Sequence, residues 1–384
     1  MSWQPPVPSA AREGSGQQTH VVRAWPDKSA GDYILEIATP GRQGVRAGLF
    51  RQGNLQTLEP DADLRLPALA TAALHGDVVV HRAGKRAVVR KAGHAGDGQY
   101  IKVFRPNHTA DAADRHLTLS RYLSGGGFLT PTLLSSNGGA LTFTAVPGKS
   151  LFAWGQDPSL TDRQFGSLWE QWSAAWIGQY SGWVRTASTG LPNRPAAVEL
   201  ENLRRIADLW LLHSCGIPAA SRQRKALAQR LDQVAAVLLA GEPDPPRWSH
   251  GDLHDKQILA VAPGAPLGLI DFDEASEAEP ALDLANLSVH LELRLQQGRL
   301  TAQRFNSARR QVAAAAEGLQ VTPARFQAYA AATRLRLGCL YAFRPPWAHL
   351  AGLFMTGRSM AGTTRPDGLR RPLPDASPSG QERS

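Results

Sequence analysis

Cysteine is nearly absent from this chain of 384 residues, which holds only Cys215 and Cys339. Two thiols cannot staple a small secreted scaffold. Both lie in apolar stretches of helical period, so they read as core thiols of a reducing compartment, the cytoplasm. Long apolar runs are missing too: no stretch of about 18 apolar residues occurs, which excludes a helical membrane span. The opening residues, Met1 to Gly16, lack the apolar core of a secretory leader. No internal repeat is evident. Aromatic residues make up 7% of the chain and are not interleaved with the basic ones, so the net charge of +9 does not read as a nucleic-acid platform. Arginine pairs at Arg204-Arg205, Arg309-Arg310 and Arg370-Arg371 are dispersed. They suit solvated helix faces, and the positive balance helps to hold a small anionic ligand.

With 42% hydrophobic and 20% charged residues the chain can bury a large core. Residues 1–17 are polar and bear Pro and Gly, predicting disorder. Strand-like runs at Val21 to Trp25, Tyr33 to Ile37 and Leu55 to Leu66 predict a β-rich extension over 18–69. Residues 70–146 read as strands with one helix and 147–362 as a run of helices, so the class is α+β in two lobes. Residues 363–384, rich in Pro, Gly, Ser and Arg, read as a tail. Trp169, Trp172, Trp176 and Trp183 recur at roughly helical spacing, the mark of a packing stripe.

The richest stretch runs from His250 to Asp283. It opens His250-Gly251-Asp252, continues to Gln257, and after a short apolar run reaches Ile270-Asp271-Phe272-Asp273. Gln257 to Val261 reads as a strand, Ala262-Pro263-Gly264 as a turn and Leu267 to Ile270 as a second strand. Such a hairpin returns Asp271 beside Gln257. Asp252, Gln257 and Asp271 then converge on one point, which suits magnesium and a polyphosphate. Magnesium takes oxygen ligands and keeps several waters, so two protein oxygens plus phosphate oxygens suffice. Phosphoryl transfer requires a positioned hydroxyl, a held metal and neutralised charge, and a carboxylate such as Asp252 can orient a hydroxyl and take its proton.

These motifs resemble those of the aminoglycoside phosphotransferase and choline kinase family, small-molecule kinases of protein-kinase-like fold. The resemblance implies a β-rich nucleotide-binding lobe over 70–146 and a larger helical catalytic lobe over 147–362. It implies ATP and magnesium as cofactors, and as partner a small-molecule hydroxyl acceptor of amino, sugar or aminoglycoside type, with neither nucleic acid nor membrane. Asp252 falls on the family's catalytic base, and Gln257 and Asp271 on its metal ligands. Gln257 stands where the family usually has Asn, as in maltokinase-like members. Lys102, in the strand-like run Gln99 to Phe104, falls on the lysine that pairs with the α- and β-phosphates. The Thr144 carbonyl and Val146 amide fall on the adenine-gripping connector between lobes. The helix over Asp111 to Leu123 should carry a Glu for that lysine, but His116 stands near the position, with Asp114 half a turn earlier. Ala83-Gly84-Lys85 would turn near the phosphates. Asp283 falls in a segment like the family's D-P-x-x-D-L-A and reads as a hydrogen-bond anchor.

Two other readings compete. His250 and His254, with Asp252 and Asp255, could serve a metal-dependent hydrolase, although Gly251 and the following strand favour a loop over the helix such a pair needs. Gln257 and the missing helix Glu would suit a pseudokinase or regulatory nucleotide-binding scaffold. The acidic run Asp273-Glu274, Glu277 and Glu279 predicts a cationic acceptor, whereas Gln257 leans toward a sugar. The chain is expected to act as a monomer or homodimer.

Overall fold

Tyr33, Leu35 and Ile37 alternate along one strand and all three are buried, the period-two pattern of a sheet that lays one face on a core. In the computed structural model, which describes residues 3–12, 16–91, 98–124, 127–180 and 190–357, this strand is the middle of a five-stranded meander. Its members are β1 (Ala10–Arg12), β2 (Gln18–Pro26), β3 (Tyr33–Ala38), β4 (Arg46–Arg51) and β5 (Asn54–Leu58), in sequence order. A short helix α1 (Ala68–Ala73) leads to β6 (Asp77–Arg82), β7 (Arg86–Lys91) and β8 (Gln99–Phe104). Helix α2 (Thr109–Leu123), β9 (Phe128–Leu129), β10 (Leu133–Asn137) and β11 (Ala140–Thr144) follow. The second sheet has the order β10-β11-β8-β7-β6, which puts Lys102 on its central strand.

After Thr144 the chain turns helical. β12 (Lys149–Ser150) leads into α3 (Leu151–Gln156), α4 (Asp162–Gly178), α5 (Ala196–His213) and α6 (Ser221–Leu239). Short strands β13 (Arg247–Ser249), β14 (Ile258–Ala260), β15 (Leu267–Leu269) and β16 (Ser276–Ala278) frame the motif-bearing loops. Then come α7 (Ala281–Gln296), α8 (Ala302–Gly318), α9 (Pro323–Tyr341) and α10 (Ala351–Thr356). Thr161 and Gln164 close a reciprocal capping box at the start of α4. Trp169, Trp172 and Trp176 on that helix are fully buried, and Trp176 meets Trp248 edge-on at 5.3 Å. Trp183 and the tail 363–384 lie outside the described residues. Cys339 is a core thiol, pushed up to about 12 by burial, but Cys215 is exposed, because α5 ends just before it.

The meander touches both lobes. Val21, Ala24, Tyr33, Leu35 and Ile37 share one buried cluster with Leu203, Trp210 and Phe343 of the helical lobe. Toward the other lobe, Val45 N–H donates to the Val78 carbonyl at 2.8 Å and Ala47 N–H to His81 Nδ1 at 3.1 Å. Much of the segment expected to be disordered is ordered too. Trp3 packs edge-on against Trp210 at 5.7 Å, and Gln223 holds its amide and carbonyl at 2.8 and 3.0 Å. One half-buried tryptophan with both backbone groups satisfied outweighs the polar composition around it.

Candidate active site

β14 and β15 form the expected antiparallel hairpin, pairing Ile258 with Leu269. Ile270 N–H donates to the Gln257 carbonyl at 3.1 Å, so the chain leaves the hairpin directly beside Gln257. Asp271 then takes a left-handed conformation, φ 72 and ψ 63, which costs a non-glycine residue energy and marks a constrained position. Phe272 behind it is buried between His116, stacked at 5.2 Å, and His250, edge-on at 5.6 Å.

Lys102 reaches across from the sheet lobe. Its Nζ pairs with Asp271 Oδ1 and with Asp273 Oδ1 at 2.7 Å, while Arg86 holds Asp273 Oδ2 at 3.1 Å. Burial opposes both charges of the pair, yet the pairing wins. Lys102 is held above its usual range by Asp271 and Asp273, and Asp271 well below the carboxylate range by Lys102 and Arg86. The position expected to hold a helix Glu carries His116, which is 5% exposed. Its Nε2 donates to the Pro131 carbonyl at 2.7 Å, and burial lowers it to about 4, so it stands neutral. Asp114 is exposed on the outer face of α2. The partners of Lys102 thus come from the Asp271–Asp273 segment.

Asp252 is fixed by a stripe on α7. Asp283, Asn286, His290 and Arg294 recur at the spacing of one helical face, and each meets a successive part of the loop. Asp283 accepts from His250 N–H at 2.7 Å and Gly251 N–H at 2.9 Å. Asn286 Nδ2 donates to the Leu253 carbonyl at 2.9 Å and lies 3.4 Å from Asp252 Oδ1. His290 lies beside His254 at 4.9 Å between ring centres, and Arg294 grips Asp255 at 3.0 to 3.2 Å. Arg336 in turn donates to Asn286 Oδ1 at 2.6 Å, aiming that amide's NH2 at the loop. Gly251 has φ +82, and a Cβ there would run into the Glu274 carbonyl, so only glycine fits. Of the stripe, the motif reading singled out Asp283 alone. Polar residues at helical spacing within an apolar helix were the signal for the rest.

A cleft of about 1430 Å³ between the lobes is lined by Lys102, Thr144, Val146, Asp252 and Asp271 together. Gln257 sits just behind it, 3% exposed, with Oε1 accepting from His254 N–H at 2.9 Å. That oxygen keeps a second lone pair, and an amide oxygen and the Asp271 carboxylate are donors of the kind a hard cation such as magnesium takes. In the connector, Thr144 N–H donates to the Thr132 carbonyl at 3.0 Å and Ala145 N–H to the Gly98 carbonyl at 2.7 Å. Val146 N–H has no partner among the described residues. The Gly84 turn is otherwise engaged, its N–H donating to Asp63 at 2.8 Å and its carbonyl accepting from Arg105 at 2.6 Å.

The acidic run does not face the cleft. Glu279 is buried, bound to Arg325 at 2.6 and 2.7 Å and to the Tyr329 hydroxyl at 3.0 Å. Glu277 lies in β16 opposite Trp248, and the Glu274 carboxylate is 60% exposed. Asp273 alone lines the cleft, already paired with two cations. The two histidines of the hydrolase reading diverge, His250 Nε2 donating to the Ile270 carbonyl at 2.9 Å while His254 faces His290. Among the described residues no three His, Cys, Asp or Glu side chains are grouped to hold a metal, and no helix is long and apolar enough to cross a membrane.

A strand-borne lysine paired with carboxylates across a two-lobed cleft, beside a braced Asp-bearing loop, is the arrangement of a kinase-like phosphotransferase. The model of the phosphotransferase enzyme family matches residues 15–329, and the chain belongs to that family. No curated protein matches it. In fold it is similar to a solved aminoglycoside phosphotransferase in complex with GDP and kanamycin, at 17% identity and TM-score 0.50, covering 72% of this chain and 91% of that one. It is also similar to an amicoumacin kinase in complex with AMP-PNP, Ca2+ and Ami, at 15% identity and TM-score 0.52, covering 75% of this chain and 91% of that one.

Proposed function

We propose that this phosphotransferase is a small-molecule kinase that moves the γ-phosphoryl group of ATP to a hydroxyl of a small metabolite. The observation that carries the reading is the Lys102 bridge to Asp271 and Asp273, across one cleft from Asp252. The two solved proteins of similar fold were captured with GDP and AMP-PNP, which fits. Asp252, held by the α7 stripe, orients the acceptor hydroxyl and takes its proton. Lys102 turns from the carboxylates to the α- and β-phosphates, and Arg86 stays beside them. Asp271 and Gln257 Oε1 would hold magnesium, with Asp273 nearby, and the bound ion would neutralise charge on the phosphates. The Thr144 carbonyl and the Val146 N–H hold the adenine edge.

Asp252→Asn removes the base and keeps the shape, so turnover should fall about 10²- to 10⁴-fold while ATP still binds. Full turnover in that variant would refute the assignment. Asp271→Ala should lose magnesium-dependent nucleotide binding in a thermal-shift titration. One pair of observations favours a second reading, a nucleotide-binding scaffold: a neutral His116 in the acid position, and Gln257 Oε1 already engaged by His254 N–H. ATP binding with no turnover on any hydroxyl compound would select it.

A further inference from the structure

Past Asp252 the cleft continues between the meander, the Gly84 hairpin and the end of α9, and its electrostatics change. Nine lysines and arginines line the whole cleft against three carboxylates, Asp252, Asp271 and Asp273, and all three belong to the proposed magnesium and base end. Several of the cations are matched: Arg86 by Asp273, Arg294 by Asp255, and Arg336 by Glu199 at 3.5 Å. Two are not. Arg82 of β6 and Arg344, just past α9, lie over the ring of Trp25 at 4.9 and 5.1 Å, and all three side chains line the cleft.

Among the described residues the Arg82 side chain has no hydrogen bond or ion pair, and its Nε is buried without a partner. Arg344 donates to the Ala24 carbonyl at 2.9 Å and forms no ion pair among the described residues; Glu36, which acts on it from further off, is itself held by Arg23 at 3.3 Å. A guanidinium withdrawn from water without a counter-ion is costly, and the cost is relieved when an anion arrives. Burial and neighbouring arginines lower both groups to about 10, and at Arg344 they outweigh the opposing pull of Glu36 and Tyr341. Stacking on one indole also holds the two planar forks in place, ready for bidentate oxygens. Each of the three side chains comes from a different part of the fold: sheet lobe, helical lobe and meander.

We infer that this end of the cleft is an anion site, and that the acceptor is a hydroxylated compound bearing a carboxylate or phosphate group, which Arg82 and Arg344 grip while its hydroxyl lies at Asp252. The inference rests on the kinase reading and reverses the cationic acceptor expected from the acidic run.

The test is a calorimetric titration of gluconate, glucose 6-phosphate, glucose and glucosamine into the full chain, with and without saturating magnesium-ADP, followed by ADP release from magnesium-ATP. With the nucleotide site filled, at least one anion should bind about tenfold or more tightly than glucose, and Arg82→Gln and Arg344→Gln should each remove about tenfold of that preference. Arg344→Lys should restore part of it, and nucleotide affinity should not move. Equal or tighter binding of glucose or glucosamine, or no anion binding at millimolar concentration, overturns the inference. So does a loss of nucleotide affinity with anion affinity intact, since the guanidiniums would then serve the nucleotide. Should Arg344→Gln fail to fold for want of its bond to Ala24, Arg82→Gln decides, because the Arg82 side chain makes no hydrogen bond to lose among the described residues. If magnesium-ATP neither binds nor turns over, the kinase reading fails, and anion titration of the nucleotide-free protein still decides this one.

Discussion

Asp283→Asn tests how much of the active loop depends on α7. The Asp283 carboxylate, 1% exposed, accepts two backbone N–H groups, at 2.7 Å from His250 and 2.9 Å from Gly251. The asparagine keeps the shape but offers one oxygen, so one N–H loses a charge-assisted bond and faces an NH2 group instead. Losing that bond and leaving a buried donor unsatisfied each cost about 1 to 3 kcal/mol. Against this stands the burial of the charge, which raises the Asp283 carboxyl from its usual range and whose removal offsets part of the loss. The net expectation is about 2 to 3 kcal/mol of lost stability. The same N–H groups lie immediately before Asp252 in the chain, and misplacing a reacting group by about 1 Å costs roughly 10²-fold in rate. Urea unfolding followed by tryptophan fluorescence should show the first effect. A coupled ADP assay at a temperature where the variant stays folded should show the second, as a fall in kcat with the KM for ATP nearly constant, because Lys102 and Val146 lie off this loop. Stability within about 0.5 kcal/mol of wild type, inside the range of an ordinary surface change, would refute the reasoning. So would an intact kcat.

Glu279→Ala strands the buried Arg325 guanidinium and should cost about 3 to 5 kcal/mol in urea unfolding, with the KM for ATP unchanged. Gly251→Ala, forced to a positive φ against the Glu274 carbonyl, should lose turnover by more than tenfold, even at temperatures where circular dichroism reports a folded chain. His116 supplies a pH dependence. Its folded value of about 4 lies below the ordinary histidine value of about 6.5, so the unfolded chain binds the proton first, and stability should drain away as pH falls from 6.5 toward 4. The full difference is worth about 3 kcal/mol. His116→Gln should flatten that part of the urea-midpoint profile, and an unchanged slope would show that His116 is not buried neutral.

The hairpin, the lysine strand and the loop carboxylate were legible because their signals are local: alternation, a Pro-Gly turn and short fixed spacings. The partner of Lys102 was not, since the helix offered only His116 and Asp114 and left it open, and the acids came from Asp271 and Asp273, far along the chain. Glu279 misled for the same reason. Its spacing from Asp271 suggests a shared loop, but nothing nearby announces Arg325, the cation that buries it. The α7 stripe could have been read, because Asn286 and His290 interrupt an apolar helix at helical spacing. The packing of Trp3 on Trp210 and of Tyr33 on Phe343 joins distant segments that carry no common pattern, and only tertiary contact reveals it.

The meander bears on how the two lobes can move. They are joined covalently through the connector at Thr144 to Gly148, and the meander supplies a second attachment, hydrogen-bonded to one lobe at Val78 and His81 and packed on the other around Trp210 and Phe343. A body fixed at two points keeps one free rotation, about the line between them. Any opening of this cleft that keeps both attachments is therefore confined to rotation near that line, and a wider one has to break one of them.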